Sequence, residues 1–136
     1  MKGITLIEIV LYTAIAGMVL YGVSILFGAA IISDARNEAR SEVDASAAHA
    51  LVALTQAIRS NGSADAWVED GTLYMREGEI EETLTPPSVF VGTFVQTAST
   101  NATSSTVRIE LEAHYRNAGR PEQQYSNTWY ASATTR

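Results

Sequence analysis

The sequence contains no cysteine. Disulfides, thiol nucleophiles and thiolate metal ligands are therefore excluded, and any exported domain must hold together by packing alone. Lysine is almost missing as well. Lys2 is the only one, and the remaining positive charge sits on arginines dispersed between positions 36 and 136. With a formal net charge of −6 and no basic cluster, the chain offers no nucleic-acid surface and no polybasic membrane patch. His49 and His114 are the only histidines, and no metal-ligand spacing surrounds either; both read as surface residues. No nucleophile with a paired base, phosphate loop or catalytic carboxylate pair is recognisable. The expectation is a non-enzyme with no cofactor and no metal site.

Charge is missing altogether from residues 9–32. This stretch of about two dozen residues exceeds the roughly 20 needed to cross a bilayer core as a helix. It is too long for the apolar part of a conventional secretory signal, although Ala29 and Ala30 offer small residues before Ile31. A single membrane span is expected. Lys2 lies on one side of it and Arg36 and Arg40 on the other, so the positive-inside rule does not orient it. The bulky domain that follows favours an inside N-terminus.

Immediately before the span stands Lys2-Gly3-Ile4-Thr5-Leu6-Ile7-Glu8, a basic residue and a glycine, then apolar residues and one carboxylate. This resembles the class III signal of type IV prepilins and pseudopilins. The resemblance implies that a membrane aspartyl peptidase cuts after Gly3 and methylates the new terminus at Ile4, where the family usually has phenylalanine. Glu8 then becomes the fifth mature residue, the family's glutamate position, and meets the terminal amine of a neighbouring subunit in the filament. A carboxylate at the head of a spanning helix costs a few kcal/mol unless it is paired or near the interface. A second reading of the same residues is local: Thr5 and Glu8 have capping-box spacing, with Thr5 as N-cap and Glu8 at N3, and the helix dipole favours the carboxylate there.

Within the span, Gly17 and Gly22 are unfavourable for helix by up to about 1 kcal/mol each, and Gly28 follows Ser24 by one turn. Small residues four apart, as in Thr13/Gly17 and Ser24/Gly28, let helices approach closely in lipid. Glycine is also simply common in membrane helices. Both readings stand. Where many major pilins carry a proline, this sequence has Ile25.

The helical period continues beyond the span, since Ala35, Ala39, Val43, Ala47, Leu51, Leu54 and Ile58 recur at helical spacing. One helix is expected from residue 4 to about residue 59, ending at the cap signal Ser60-Asn61-Gly62-Ser63. Asp34, Arg36, Glu38, Arg40, Glu42 and Asp44 form an alternating charged face, either solvated or bridging subunits. After Gly62, short alternating runs predict antiparallel strands. Asp70-Gly71 marks a tight hairpin and Glu77-Gly78 the next turn, with a third strand over residues 80–84. Pro86-Pro87 interrupts the chain before an apolar run over 89–95. The Ser/Thr-rich stretch 97–106 reads as a mobile surface loop. Alternation from Val107 to Tyr115 predicts the best strand, and a turn over 117–121 leads to a last strand over 124–131. Glu77, Glu79, Glu81 and Glu82 lack a calcium-loop pattern and read as a solvated hairpin. Asn61-Gly62-Ser63 and Asn101-Ala102-Thr103 match the glycosylation sequon, a pattern frequent by chance.

The expected fold class is α+β, a long N-terminal helix with a membrane-spanning first half, packed against a small C-terminal antiparallel sheet. The segments are a leader (1–3), a span and filament-core half-helix (4–32), a polar half-helix (33–61) and a sheet domain (62–136). That layout is similar to type IV pilin-like subunits, and most like minor pseudopilins of the type II secretion J class or minor pilins of the W class. The resemblance implies a minor subunit of a secretion, pilus or DNA-uptake filament, held in the inner membrane with its N-terminus inside. Implied partners are other pilin-like subunits, the prepilin peptidase, the assembly platform and membrane lipid. The competing expectations are a major pilin of an adhesive fibre and an unrelated single-span membrane-anchored binding domain.

Overall fold

A computed structural model describes residues 5–101, 104–116 and 123–135. Gly3, Ile4, the sequon residues Ala102 and Thr103 and the turn expected over 117–121 lie outside the described residues. The class is α+β. One helix, α1 (Leu6–Asn61), precedes six strands: β1 (Asp65–Glu69), β2 (Thr72–Glu77), β3 (Ile80–Thr83), β4 (Val89–Asn101), β5 (Ser104–Tyr115) and β6 (Ser126–Thr135). The chain divides into two compact units, Met1–Ala35 and Arg36–Arg136.

In the first unit the helix is long and apolar enough to cross a membrane, and none of its apolar window is buried. Its Thr13 and Ser24 hydroxyls are satisfied within the helix. Thr13 Oγ1 donates to the carbonyls of Ile9 (3.0 Å) and Val10 (2.9 Å), and Ser24 Oγ to that of Leu20 (2.9 Å). Such back-bonding satisfies a polar group without a partner helix.

In the second unit α1 buries Ala39, Val43, Ala47, Ala50, Leu54, Ala57 and Ile58, a stripe at intervals of three and four residues that presents one face. Alanine dominates its start, and only Leu54 and Ile58 bring bulk deep into the core, each contributing about 1.5–3 kcal/mol. Leu51, expected beside them, is half-buried at the margin. The helix ends as its sequence indicates. Gly62 adopts φ 79 and its N–H donates to the Ile58 carbonyl at 2.8 Å, a left-handed cap.

The strands form two sheets rather than the single one expected, β1-β2-β3 and β4-β5-β6, all antiparallel. The division falls at Pro86-Pro87, where missing backbone donors stop a ladder from continuing. Hydrogen bonds hold the connection instead. Leu84 N–H donates to the Leu73 carbonyl (2.8 Å) and Leu73 N–H to the buried Thr85 Oγ1 (3.0 Å), which fastens the segment after β3 to β2, and Val91 N–H donates to the Gly71 carbonyl (2.7 Å), which joins the two sheets. The β1–β2 turn has Asp70 at φ 50 and Gly71 at φ 75, the two positive values that a type I′ hairpin requires. Leu73 and Met75, Val89 and Val91, and Val107, Ile109, Leu111, Ala113 and Ala133 complete the core.

The expected loop over 97–106 is not a loop where it is described. Residues 97–101 continue β4, and 104–106 open β5, in unbroken register from Thr97↔Arg108 to Asn101↔Ser104. β-Branched threonines suit a pleated surface, and hydroxyls pair across strands at Thr106/Thr134 (3.1 Å). Low apolar content marked an exposed ladder here. The last strand likewise runs later than expected, Ser126–Thr135, leaving Gln124 and Tyr125 before it.

Candidate functional site

Thr5 stands just ahead of the first helical residue. Its N–H donates to Glu8 Oε2 at 3.1 Å and its hydroxyl to the same oxygen at 3.2 Å. The Glu8 N–H donates to the Thr5 carbonyl at 3.0 Å. Glu8 thus closes the N3-to-N-cap arm of a capping box and places a negative charge on the positive end of the helix. One carboxylate oxygen serves the cap, and the side chain lies on an exposed surface.

Behind this head, the apolar side chains of α1 are presented outward. Leu6 is 82% exposed, Met18 76% and Phe27 67%. A Cβ built at Gly17, Gly22 or Gly28 meets nothing within 4 Å, so all three glycines are open to a neighbour. The surface can bury itself in lipid or against other apolar helices, and the small residues would permit close approach.

The charged face of α1 turns out to be partly structural. Tyr125 donates from its hydroxyl to Asp44 Oδ1 at 3.1 Å, and Arg40 Nε lies 3.5 Å from Asp44 Oδ2 with its guanidinium 5.8 Å from the Tyr125 ring centre. Ser88 Oγ donates to Glu42 Oε1. Burial, the Glu42 and Glu38 carboxylates and a hydrogen bond to Glu42, in that order, push the Tyr115 phenol above its ordinary value. Sequence reasoning assigned Glu42 and Asp44 to a solvated or intersubunit face. Their partners Ser88, Tyr115 and Tyr125 are dozens of residues away, and periodicity carries no signal for them.

A cleft of about 710 Å³ opens at the end of the β4-β5-β6 sheet, lined by residues that include Phe90, Glu112, His114, Arg116 and Tyr125. His114 lies against Phe90 with ring centres 4.7 Å apart, and the Arg116 guanidinium lies 5.1 Å from the same Phe90 ring centre while donating to the Asp70 carbonyl at 3.1 Å. Glu112 accepts from Thr93 Oγ1 at 2.9 Å. Arg116 and Glu112 thus spend their polarity on the fold. On the other sheet, Trp67 stacks on Tyr74 at 5.8 Å and Arg76 sits over Trp67 at 5.0 Å. The hydrogen bond and charge of Glu81 raise Arg76 above its ordinary value, opposed by desolvation and assisted by Asp65. Glu81 is thus tied into this ladder, and Glu77, Glu79 and Glu82 are exposed around it. Among the described residues no three His, Asp or Glu side chains come together as a metal site. The structure brings Thr5 and Glu8 together; Gly17, Gly22, Ser24 and Gly28 lie along the exposed helix. Compared with models of known families, with curated proteins and with solved structures, the chain matches none of them.

Proposed function

We propose that this chain is a type IV pilin-like subunit, most similar to the minor pseudopilins and minor pilins. In this reading it is clipped after Gly3, anchored in the inner membrane with its N-terminus inside, and assembled through α1 into a secretion, pilus or DNA-uptake filament. The observation that carries the reading is the placement of Glu8 at the head of an exposed apolar helix with no charge over residues 9–32. A lone carboxylate there is costly in lipid unless paired, and the amine released at Ile4 of a neighbouring subunit would pair with it. The open glycines at 17, 22 and 28 supply surfaces for close helix contact. The partners are other pilin-like subunits, the prepilin peptidase, the assembly platform and lipid. Mass spectrometry of the mature N-terminus tests it: a chain beginning at Ile4 is expected, and an intact Met1 or Lys2 would overturn the proposal.

One observation favours a second reading, a single-span anchor for a binding domain. The Thr5–Glu8 hydrogen bonds give the carboxylate a purpose within its own helix. The same mass measurement separates the two. Abundance in sheared surface fibres then separates a minor subunit from a major pilin, which must dominate them.

A further inference from the structure

Five asparagines stand in the sequence, and Asn61 is the one followed by glycine. An asparagine in that setting can react within its own chain, because the next backbone nitrogen attacks the side-chain Cγ and a glycine there has no Cβ to hinder the approach. The structure puts the pair at the end of α1, where Asn61 is the last helical residue and is exposed. Among the described residues its side-chain amide has no hydrogen-bond partner, whereas Asn127 Oδ1 accepts the Thr128 N–H at 2.9 Å. Space for a ring is present too, since a Cβ built at Gly62 meets nothing within 4 Å.

One contact opposes the reaction. The Gly62 N–H donates to the Ile58 carbonyl at 2.8 Å, which keeps the attacking nitrogen turned along the helix with its proton in use. Ser60 Oγ donates to the Gln56 and Ala57 carbonyls at 3.0 and 3.1 Å and closes the same turn. The φ of 79 at Gly62 belongs to a left-handed helix cap, which glycine adopts without strain. The cap therefore calls for the residue that leaves Asn61 open to attack, and it guards Asn61 while it is closed.

We infer that Asn61 is a site of spontaneous deamidation, gated by the C-terminal cap of α1. When the last turn opens, the Gly62 nitrogen loses its proton to solvent base and bonds to Asn61 Cγ. The Cγ–Nδ2 bond breaks and the side-chain amide leaves as ammonia. Water then opens the resulting succinimide at either carbonyl, giving aspartate or isoaspartate. Both products put a negative charge at the helix end whose dipole disfavours it. Isoaspartate also adds a main-chain carbon before Gly62, which takes the Gly62 N–H out of register with the Ile58 carbonyl. The modification thus acts on the joint between α1 and β1, and it is independent of whether α1 builds a filament.

Cleavage after arginine isolates the site. The fragment 60–76 lies between Arg59 and Arg76 and holds Asn61 as its only asparagine, with no glutamine, so any amide-to-acid mass gain in it belongs to Asn61. The full-length chain is incubated in detergent micelles at mildly alkaline pH, with and without urea, and its fragments are followed by mass spectrometry. Asn61 is expected to convert ahead of Asn37 and Asn127 in both conditions. Its conversion is expected to be about 5–30-fold faster in urea, the ratio set by how rarely the folded cap opens. Conversion no faster than at Asn37 and Asn127, or a rate at Asn61 that urea leaves unchanged, would overturn the inference. Asn61→Gln keeps an amide at the helix end but requires a larger ring, and its 60–76 fragment is expected to gain no mass over the same period. A gain equal to the parent's also overturns the assignment.

Discussion

The ring of Phe90 occupies the space that any side chain at Gly71 would need: a Cβ there would come 2.1 Å from Phe90 Cε2. Gly71 also holds φ 75 in the β1–β2 turn and accepts the Val91 N–H through its carbonyl. One residue therefore closes a hairpin and joins the two sheets. Gly71→Ala is expected to cost about 2–4 kcal/mol, combining left-handed strain with overpacking. Gly62→Ala, at φ 79 with open space around it, is expected to cost about 1–2 kcal/mol. Urea unfolding of the two variants measures the difference, and equal costs would mean that Phe90 moves aside freely.

Leu54 is fully buried between α1 and the sheets, whereas Val52, two residues earlier, is 65% exposed. Leu54→Ala is expected to destabilise the second unit by about 2–5 kcal/mol, the range for a core leucine replaced without full collapse of the cavity. Val52→Ala is expected to stay within about 0.5 kcal/mol. Thermal unfolding followed by the near-ultraviolet signal of Trp67 and Trp129 reads both.

Local signals were legible in the sequence and long-range ones were not. The Asn61-Gly62 cap, the Asp70-Gly71 turn and the alternation of Val107, Ile109, Leu111 and Ala113 each depend on a few adjacent residues, and each appears where its pattern places it. The division into two sheets depended on reading Pro86-Pro87 as a boundary between ladders rather than a break within one. Thr97 to Asn101 looked like a loop because their side chains face water, yet their backbone is paired along its length. At the candidate site, the Thr5–Glu8 spacing was visible and its hydrogen bonds follow from it. Ser88 on Glu42 and Tyr125 on Asp44 join residues 46 and 81 positions apart, and helical periodicity alone assigned both acids to a solvated or subunit-bridging face.

Tyr115 gives the second unit a dependence on alkaline pH. Its phenol is raised above the ordinary value near 10.0 by burial first, then by Glu42 and Glu38 and the hydrogen bond to Glu42. A group that holds its proton more tightly when folded contributes stability that is fully present below the unfolded pKa. That contribution is lost as pH rises through the folded value. Denaturant midpoints are therefore expected to fall above about pH 10. Tyr115→Phe should flatten that fall. A Tyr115→Phe profile as steep as that of the parent would exclude the assignment.

Glu8 performs two separable tasks under the proposed function, and substitution can divide them. Glu8→Gln retains an oxygen able to accept the Thr5 N–H, so cap strength and membrane insertion are expected to persist, while the charge that would meet a neighbouring amine is gone. Thr5→Ala keeps that charge and the backbone arm of the cap, and loses the hydroxyl contact to Glu8 at a cost of about 0.5–2 kcal/mol. If the carboxylate serves assembly, Glu8→Gln should be made and inserted normally yet be lost from sheared filaments, with Thr5→Ala still incorporated. If it serves only the helix end, the order reverses and Thr5→Ala is the more damaging change. Quantifying both variants in membrane and filament fractions of the same cells decides between them.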